Sequence, residues 1–457
     1  MRTNLDNLKG KRVLVVGLAR SGIAACQTLI EMGAVVSVQD NRKEEEFDRN
    51  FITYLRGKDV TLYFNTIPAD MSQFDMLVLS PGVSPELEFI QKGAECGAEI
   101  TGEMEIAYRV SKGNFIAITG TNGKTTTTTL VGEIFKAAGR KTHVVGNIGN
   151  AAIAEASKAD EQDWLITEVS SFQLETTKYF KPQVSAILNL TPDHLNRHHT
   201  MEAYGAAKAK VFANQTEANY LVINYDDKDC YALAKDCKAR LVPFSRHEEL
   251  DFGAFVKDGK AVIKDDERTV EICSLDDVRI IGTHNVENIL AASAISYFAG
   301  IDHKVIGQAI LAFTGVEHRI EYLGEVDGIK YYNDSKGTNV DAAITAIKAI
   351  KENIILIAGG DGKGQDFDPF IKEFRGAVKK MILLGRDGKI IAEAAENNGF
   401  KDYIFCADMP ECVKKAAEIA ETGDTVLLSP ACASWDMYED FEQRGNHFKA
   451  CVEALRR

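Results

Sequence analysis

The sequence lacks any apolar run long enough to cross a membrane. A membrane-spanning helix needs about 20 mainly apolar residues, and no stretch of this 457-residue chain qualifies. The first residues, Met1–Asp6, also lack the charged and then apolar layout of a secretory signal. We therefore expect a cytoplasmic protein that has no membrane partner.

Positive charge is scarce as well. The 53 Lys and Arg residues are outnumbered by 67 Asp and Glu residues, which gives a formal net charge of −14. A surface of this sign disfavours nucleic acid as a partner, so phosphate groups would have to be bound in local pockets. The nine cysteines include no Cys-x-x-Cys pair, which indicates neither a disulfide framework nor a zinc site. We expect reduced thiols and small-molecule partners.

Short apolar runs alternate with helical stretches along most of the chain, for example at Val13–Val16, Phe115–Ile118 and Ile354–Ile357. Such runs are typical of buried parallel strands, and the length predicts about three domains. A hairpin that turns at Asp258-Gly259 interrupts the pattern. We predict an α/β fold with a Rossmann-like N-terminal domain, a P-loop central domain and a Rossmann-like C-terminal domain, at residues 1–102, 103–315 and 316–457.

A glycine-containing segment, Gly17–Gly22, joins the first apolar run to a helix predicted from Ile23 to Met32. Glycine lets a backbone approach a pyrophosphate at a helix N-terminus. Asp40 ends the next run, where such folds place a group that contacts a ribose or a base. Ala19 stands where an NAD site prefers glycine. The segment therefore favours some nucleotide over NAD, and a purely structural turn stays open.

A second loop, Gly120–Thr125, follows an apolar strand and precedes a helix predicted to extend to Ala138. The order strand, Gly-Lys-Thr and helix is typical of a P-loop, in which backbone N–H groups surround phosphates. Lys124 would contact the β- and γ-phosphate oxygens, and the Thr125 hydroxyl would bind Mg²⁺. Ile118 replaces the first glycine of the usual P-loop pattern, so a glycine-rich turn remains the alternative.

Polar residues follow two further apolar runs. Glu168 ends the run that begins at Trp164, where open α/β sheets place their site residues. It is a candidate ligand of the P-loop metal. His194, next to Asp193, is placed for substrate or Mg²⁺. For His198 and His199 we expect a surface loop, since no zinc-type spacing accompanies them.

Three loops in the last third of the chain each follow an apolar run: Tyr332–Asn339, Gly359–Gly364 and Leu428–Ser434. The carboxyl ends of parallel strands meet at one edge of a sheet, so these loops could lie together. Lysines and hydroxyls there would suit a substrate with several carboxylates, although each loop alone could be ordinary. Cys432 is as readily a small buried apolar residue as a nucleophile.

Together these motifs resemble the Mur ligases of peptidoglycan precursor synthesis. The Thr119–Thr126 loop is shared across that superfamily, which includes folylpolyglutamate synthases. Glu168–Glu175, Asn333–Asn339 and Leu428–Gly445 are similar to the branch that adds D-glutamate to UDP-N-acetylmuramoyl-L-alanine. The Asp-Asn-Pro-Arg motif of the diaminopimelate-adding branch is absent. The missing P-loop glycine is itself a feature of the family.

The resemblance implies an ATP-dependent amide synthesis through an acyl phosphate. A sister ligase for another amino acid and a folylpolyglutamate synthase are the nearest alternatives. A dehydrogenase and a nucleotide-regulated switch protein are the alternatives from other classes. Ala19 counts against the dehydrogenase, and the Leu428–Gly445 segment would have no role in a switch protein.

The resemblance also implies a role for each matching residue. The catalytic residues would be Lys124, His194 and Lys208. ATP would be bound by Gly120, Thr121, Asn122, Gly123, Lys124, Thr125, Thr126, Asn285, Asn288, Arg319, Asp334 and Lys336. The UDP-linked substrate would be bound by Leu18, Ala19, Asp40, Asn41, Arg42, Ser80, Gly82, Asn147 and His194. D-Glutamate would be bound by Thr338, Lys363, Ser434 and the backbone of Phe441.

Two Mg²⁺ ions would be held by Thr125, Glu168, His194 and Lys208, the last as a carbamate. A carbamate forms on an uncharged amine, so it requires surroundings that lower the lysine pKa. Without the resemblance, Lys208 would be read as a solvated helix lysine. We also expect a monomer.

Overall fold

The computed structural model describes residues 8–456, so the expectation for Met1–Asp6 lies outside the described residues. Within this range, none of the helices combines the length and the apolar character that membrane crossing requires. The chain divides into two compact units. We call residues Met1–Asp277 with Glu287–Leu311 the first unit, and Val278–Val286 with Ala312–Arg457 the second unit.

The first unit begins with a five-stranded parallel sheet. Its elements are β1 (Arg12–Val16), α1 (Arg20–Glu31), β2 (Val35–Asp40), α2 (Arg49–Gly57), β3 (Thr61–Phe64), β4 (Met76–Leu79), α3 (Glu88–Glu95) and β5 (Glu99–Gly102). The strand order is β3-β2-β1-β4-β5. Chain connections leave β1 in opposite directions along the sheet, so a crevice opens beyond its carboxyl end.

A nine-stranded sheet follows in the same unit, in the order β14-β13-β12-β11-β10-β9-β6-β8-β7. Its strands are β6 (Asn114–Thr119), β7 (Thr142–Gly146), β8 (Trp164–Glu168), β9 (Val184–Ile187), β10 (Tyr220–Asn224), β11 (Arg240–Ser245), β12 (Gly253–Lys257), β13 (Lys260–Lys264) and β14 (Thr269–Ser274). The β12–β13 hairpin turns at Asp258 and Gly259, as predicted.

 The turn residues themselves have φ angles of 48° at Asp258 and 72° at Gly259, the left-handed pair of a tight hairpin turn.

The helices that accompany this sheet are α4 (Glu103–Val110), α5 (Lys124–Ala137), α6 (Ala152–Ala156), α7 (Ser171–Glu175), α8 (Leu195–His198), α9 (Met201–Ala209), α10 (Lys228–Ala232), α11 (Thr283–Phe298) and α12 (His303–Ala312). The helix after the phosphate loop ends at Ala137, one residue before the predicted end. Gly139 follows it in the left-handed region at φ 70°, and the next amide, that of Arg140, donates to the Phe135 carbonyl.

The second unit contains a six-stranded sheet in the order β15-β16-β20-β17-β18-β19. Its elements are β15 (Glu321–Val326), β16 (Ile329–Asn333), α13 (Val340–Ile350), β17 (Ile354–Gly359), α14 (Asp368–Lys372), β18 (Val378–Leu384), α15 (Gly388–Asn397), β19 (Tyr403–Phe405), α16 (Met409–Ile419), β20 (Thr425–Leu428) and α17 (Phe441–Ala454). Only the β15–β16 pairing is antiparallel. The expected α/β class with parallel strands is therefore confirmed, whereas the boundaries near residues 102 and 315 stay predictions.

Candidate functional site

The phosphate loop, Gly120–Thr125, connects β6 to α5. Gly120 has φ 149°, and a Cβ atom there would lie 3.0 Å from the Leu188 Cβ. Gly123 precedes the helix with φ 82°. Glycine is therefore required at both positions by the backbone conformation, and a Cβ atom at either position would also meet a close neighbour.

Asn189, in the segment after β9, fixes the shape of this loop. Its Oδ1 accepts hydrogen bonds from the amides of Thr121 (3.0 Å) and Asn122 (2.8 Å), and its Nδ2 donates to the Asn122 carbonyl (3.1 Å). The sequence did not single out Asn189, because an asparagine after a strand carries no signal of its own. Its side chain nevertheless orients the loop that would bind phosphates.

Two lysine side chains meet at one carbonyl of the loop. Lys124 Nζ donates to the carbonyls of Gly120 (2.9 Å) and Thr121 (2.8 Å), and Lys208 Nζ donates to the Gly120 carbonyl at 2.8 Å. Lys208 is only 1 % exposed, and its ammonium lies 4.4 Å from the centre of the Tyr204 ring. Burial, and then repulsion from Lys124, lowers the pKa of Lys208 well below its usual value. The reading of Lys208 as a solvated lysine is therefore wrong.

Glu168 ends β8, as predicted, and it is buried. Its Oε1 accepts a hydrogen bond from Asn147 Nδ2 at 2.9 Å, whereas its buried Oε2 has no hydrogen-bond partner among residues 8–456. A buried carboxylate oxygen without a donor fits a cation ligand. No group of three or more His, Cys, Asp or Glu side chains in the described range is arranged to hold a metal by itself.

The histidines differ from one another in their surroundings. His194 precedes α8 with φ 54°, and its half-exposed ring lies 3.4 Å from Asp193. The surface-loop prediction is wrong for His198, because its ring is buried. Its Nε2 lies 2.9 Å from Ser171 Oγ, and the ring stacks on Phe172. Burial lowers the pKa of His198. Of the two histidines predicted to lie in a surface loop, His199 is the exposed one.

In the first sheet, the carboxylate of Asp40 is bound by the turn that follows β1. Asp40 Oδ2 accepts from the Leu18 amide at 2.7 Å and from the Arg42 guanidinium at 3.0 Å. Burial alone would raise the pKa of Asp40, but the hydrogen bonds from Arg42 and Leu18 outweigh it and lower this pKa. The carboxylate thus remains an acceptor at neutral pH, at the mouth of the predicted nucleotide site.

Ser80 holds the same turn from β4, since its hydroxyl donates to the Gly17 carbonyl at 2.7 Å. A Cβ atom on Gly22 would lie 1.8 Å from that carbonyl oxygen, so α1 can approach the turn only with glycine there. Asn147, after β7, accepts a hydrogen bond from Arg20 at its carbonyl, at 3.4 Å. The remaining predicted substrate residues of this region lie on loops after β1, β2 and β4: Ala19, Asn41 and Gly82.

In the second unit, the three predicted loops do converge on one sheet edge, because they follow the neighbouring strands β16, β20 and β17. Gly359 N donates to the Pro430 carbonyl at 2.9 Å, and Asp334 accepts from the Ser429 hydroxyl at 2.7 Å. Asp334 is buried, and desolvation raises its pKa to about 6 although Arg319 and Ser429 act in the opposite direction.

Arg444, on α17, ties two of these loops together. Its buried guanidinium donates to the Ser335 carbonyl (2.8 Å), to the Ser335 hydroxyl (3.0 Å) and twice to the Cys432 carbonyl (3.1 Å). Burial lowers the pKa of Arg444 to about 10. Cys432 is fully buried with its pKa raised to about 12 by desolvation, which favours the interpretation as a buried apolar residue over a nucleophile.

The predicted D-glutamate residues lie on these loops or next to them. Lys363 and Ser434 belong to the second and third loops, Thr338 follows β16, and Phe441 begins α17. The Phe441 carbonyl accepts from the Ser335 hydroxyl at 2.8 Å, and the Lys336 ammonium lies 4.8 Å from the Phe441 ring centre.

The predicted ATP residues are divided between the two units. Asn288 lies in the first unit, where its Oδ1 accepts from the Thr127 hydroxyl at 3.2 Å and would lie 2.3 Å from a Cβ atom on Gly123. Asn285 lies in the first turn of α11, the part of that helix that belongs to the second unit, and donates to the Ile281 carbonyl at 2.6 Å. Three further predicted ATP residues also belong to the second unit: Arg319, Asp334 and Lys336.

Comparison with protein-family models gives three matches along the chain. Residues 11–102 match the Mur ligase MurD-like N-terminal domain, residues 118–296 match the Mur ligase middle domain, and residues 318–432 match the Mur ligase glutamate ligase domain. The matches fall in the parts of the chain that form the three sheets.

Curated relatives match over nearly the full length. A UDP-N-acetylmuramoylalanine–D-glutamate ligase of Alkaliphilus oremlandii is 50 % identical over 458 residues, covering 99 % of this chain and 100 % of the relative. Proteins of the same name from Thermoanaerobacter sp. (strain X514) and Clostridioides difficile (strain 630) are each 47 % identical, and cover 98 % of this chain and 100 % of the relative.

Solved structures show the same fold at lower identity. A UDP-N-acetylmuramate-alanine ligase from Thermotoga maritima superposes with a TM-score of 0.60 at 19 % identity, covering 97 % of this chain and 99 % of that one. A pseudomurein peptide ligase type C from Methanothermus fervidus gives a TM-score of 0.59 at 19 % identity, covering 98 % and 100 %.

Proposed function

Because the chain belongs to the Mur ligase family, we propose that it joins D-glutamate to UDP-N-acetylmuramoyl-L-alanine in an ATP-dependent reaction. The observation that carries this proposal is the 43 to 50 % identity, over at least 98 % of the chain, to relatives named for that reaction. The P-loop geometry at Gly120–Thr125 accounts for ATP as the energy source. The product would be a precursor of peptidoglycan.

The reaction needs two steps because a carboxylate is a poor electrophile. The carboxylate oxygen of the L-alanyl group attacks the γ-phosphorus of ATP, the bond to the β-phosphate oxygen breaks, and an acyl phosphate forms. The uncharged amine of D-glutamate then attacks the acyl carbon. The tetrahedral intermediate expels inorganic phosphate and loses a proton, which leaves the amide.

In this mechanism the protein supplies position and charge rather than a covalent intermediate. Lys124 exchanges its bonds to the Gly120 and Thr121 carbonyls for phosphate oxygens, so that its charge lies where negative charge accumulates. The second catalytic residue we assign is His194, which would lie beside the reacting carboxylate and a bound Mg²⁺. The third is Lys208.

Bound Mg²⁺ would neutralise phosphate charge and make the γ-phosphorus a better electrophile. Thr125, Glu168 and His194, together with a carbamate on Lys208, are the residues that would hold two such ions. The unpartnered Oε2 of Glu168 supports this assignment.

The burial of Lys208 supports the carbamate. A lowered pKa leaves a larger fraction of the amine uncharged at neutral pH, and the uncharged amine is the form that adds CO₂. The carbamate would carry a negative charge beside Lys124, so the repulsion that now lowers the lysine pKa would become an attraction.

We assign the UDP-linked substrate and D-glutamate to loops of different sheets. We assign the UDP part to the loops of the first sheet, at Leu18, Ala19, Asp40, Asn41, Arg42, Ser80 and Gly82, with Asn147 at the diphosphate or sugar. We assign the carboxylates of D-glutamate to Thr338, Lys363, Ser434 and Phe441. We further propose domain boundaries at residues 102 and 315, a cytoplasmic location and a monomeric protein.

Phosphate release from ATP tests the proposal. The purified protein is given ATP, Mg²⁺ and UDP-N-acetylmuramoyl-L-alanine with D-glutamate, L-glutamate, L-lysine or no amino acid. We expect release with D-glutamate alone, together with the matching product by mass. Release with another amine would identify a sister ligase. No release with any amine would refute the proposed function, and a folate substrate would be tested next.

A further inference from the structure

Trp435 is the most exposed large hydrophobic side chain recorded in the described range, with 65 % of its surface accessible. It lies between β20 and α17, on the loop that also carries Ser434. A side chain this exposed gains little from hydrophobic burial. The Lys363 ammonium lies 5.0 Å from the centre of its ring system. That distance is within the range of a cation–π interaction, for which tryptophan is the best aromatic partner.

The backbone holds the two residues in matching positions. Asp361 and Ala433 exchange two hydrogen bonds, of 3.0 and 2.8 Å, and each stands two residues before one member of the pair. A Cβ atom on Gly360 would lie 2.3 Å from the Ala433 carbonyl oxygen. The two loops can therefore approach this closely only because residue 360 is glycine. The contact between Lys363 and Trp435 is thus set by the way the loops are joined.

Two carboxylates of the neighbouring loops, Asp361 and Asp387, are already engaged. Asp361 accepts from Arg386 at 3.2 Å and from the Lys363 backbone amide at 3.0 Å, and Asp387 accepts from the Gly362 amide at 2.7 Å. Among residues 8–456, no ion pair of Lys363 with a carboxylate is recorded. The indole therefore orients the ammonium without neutralising its charge.

We propose that Trp435 is a positioning residue, which holds the Lys363 ammonium over its indole face so that it can bind a carboxylate of the incoming dicarboxylic amino acid. The inference rests on the proposed function, because that function supplies the amino acid. A lysine side chain has four rotatable bonds, and fixing it before the ligand arrives reduces the entropy lost on binding. The effect should appear in the KM for D-glutamate rather than in kcat.

Steady-state kinetics with Trp435→Phe and Trp435→Leu test the role of the aromatic face. We expect Leu, which is apolar but has no π system, to raise the KM for D-glutamate roughly two- to fivefold, the effect of an exposed cation–π contact. Phe should keep the KM within about twofold of the wild type, since it retains an aromatic face. Equal KM values for the Phe and Leu variants would overturn the proposal.

A double-mutant cycle shows whether Trp435 acts through Lys363. In a Lys363→Met background the change from Trp435 to Leu should leave the KM for D-glutamate unaltered, because no ammonium remains to be positioned. An equal rise in both backgrounds would show that Trp435 acts in some other way and would overturn the proposal.

The pairing can also be measured without any substrate. The chain has only two tryptophans, so a Trp164→Phe variant leaves Trp435 as the sole indole emitter. We expect Lys363→Met to change its emission in the free protein, and an unchanged emission would overturn the pairing. If the emission changes but the wild-type protein shows no D-glutamate-dependent phosphate release, the proposed function is refuted, and with it the assignment of the carboxylate.

Discussion

Asp334 gives a quantitative prediction about stability. This buried carboxyl group follows β16, and its oxygens accept from the Ile320 amide at 3.2 Å and from the Ser429 hydroxyl at 2.7 Å. Asparagine has nearly the same shape. Its oxygen can accept from the amide and its NH₂ group can donate to the hydroxyl, which is able to accept. Asp334→Asn therefore imitates the protonated carboxyl group at every pH.

The size of the effect follows from the pKa. Desolvation raises the pKa of Asp334 from 3.8 to about 6 in the folded protein. Between these values the folded state binds more protons than the unfolded state, so the wild type loses stability as the pH rises. At about 1.4 kcal/mol per pKa unit, the loss amounts to about 3 kcal/mol. The asparagine variant does not titrate here, so its stability relative to the wild type should rise by most of that amount between pH 4 and pH 7.

Urea unfolding at several pH values measures this difference. In a Trp164→Phe background the fluorescence of Trp435, which lies in the same unit as Asp334, follows the unfolding of the second unit. Ser429→Ala provides a matched comparison. It removes a hydrogen bond that lowers the pKa of Asp334, so the pH-dependent difference should become larger. A difference in unfolding free energy that stays constant from pH 4 to pH 7 would refute the reasoning.

Three further predictions concern the phosphate loop and the sheet edge of the second unit. Lys208→Ala should lose most phosphate release and regain part of it in millimolar short-chain carboxylic acids, which replace the carbamate; unchanged activity would contradict the carbamate. Glu168→Gln should lower the rate of phosphate release by about 10-fold or more and raise the Mg²⁺ concentration needed for activity, as a Mg²⁺ titration would show. An unaltered titration would show that Glu168 is not a metal ligand. Gly360→Ala should destabilise the second unit in urea by about 3 kcal/mol, because φ is 131° and the new Cβ meets the Ala433 carbonyl. Gly399→Ala, which has a positive φ but no atom within 4 Å, is its control and should cost about 1 kcal/mol.

The sequence predicted the strands well because their signal is local. Buried parallel strands appear as short apolar runs, and Val13–Val16, Phe115–Ile118 and Ile354–Ile357 all lie within strands of the structure. The hairpin at Asp258-Gly259 was equally local, since a tight turn requires left-handed residues. The convergence of the three loops in the second unit followed from the strands being parallel and adjacent.

What the sequence could not predict depends on residues that are distant along the chain. His198 lies in a polar segment, but its ring is buried because Phe172 and Tyr204 pack against it. The burial of Lys208 likewise depends on a carbonyl 88 residues away, at Gly120. The sequence of α9 around Lys208 does not reveal which distant residues exclude water from the lysine side chain. The role of Asn189 was missed for the same reason.

The charged groups of these sites are already bound within the protein before any ligand arrives. Asp40 accepts from the Leu18 amide, Lys124 donates to two carbonyls of its own loop, and Lys363 lies over Trp435. A ligand that binds to one of these groups must therefore replace an internal contact with a new one. The net gain in binding free energy is then smaller than the new contact alone would supply. The internal contacts also fix the side chains near their working positions, which lowers the entropy lost on binding. Removing a positioning contact should therefore weaken binding even though the charge itself is unchanged, whereas removing the charge should weaken it further.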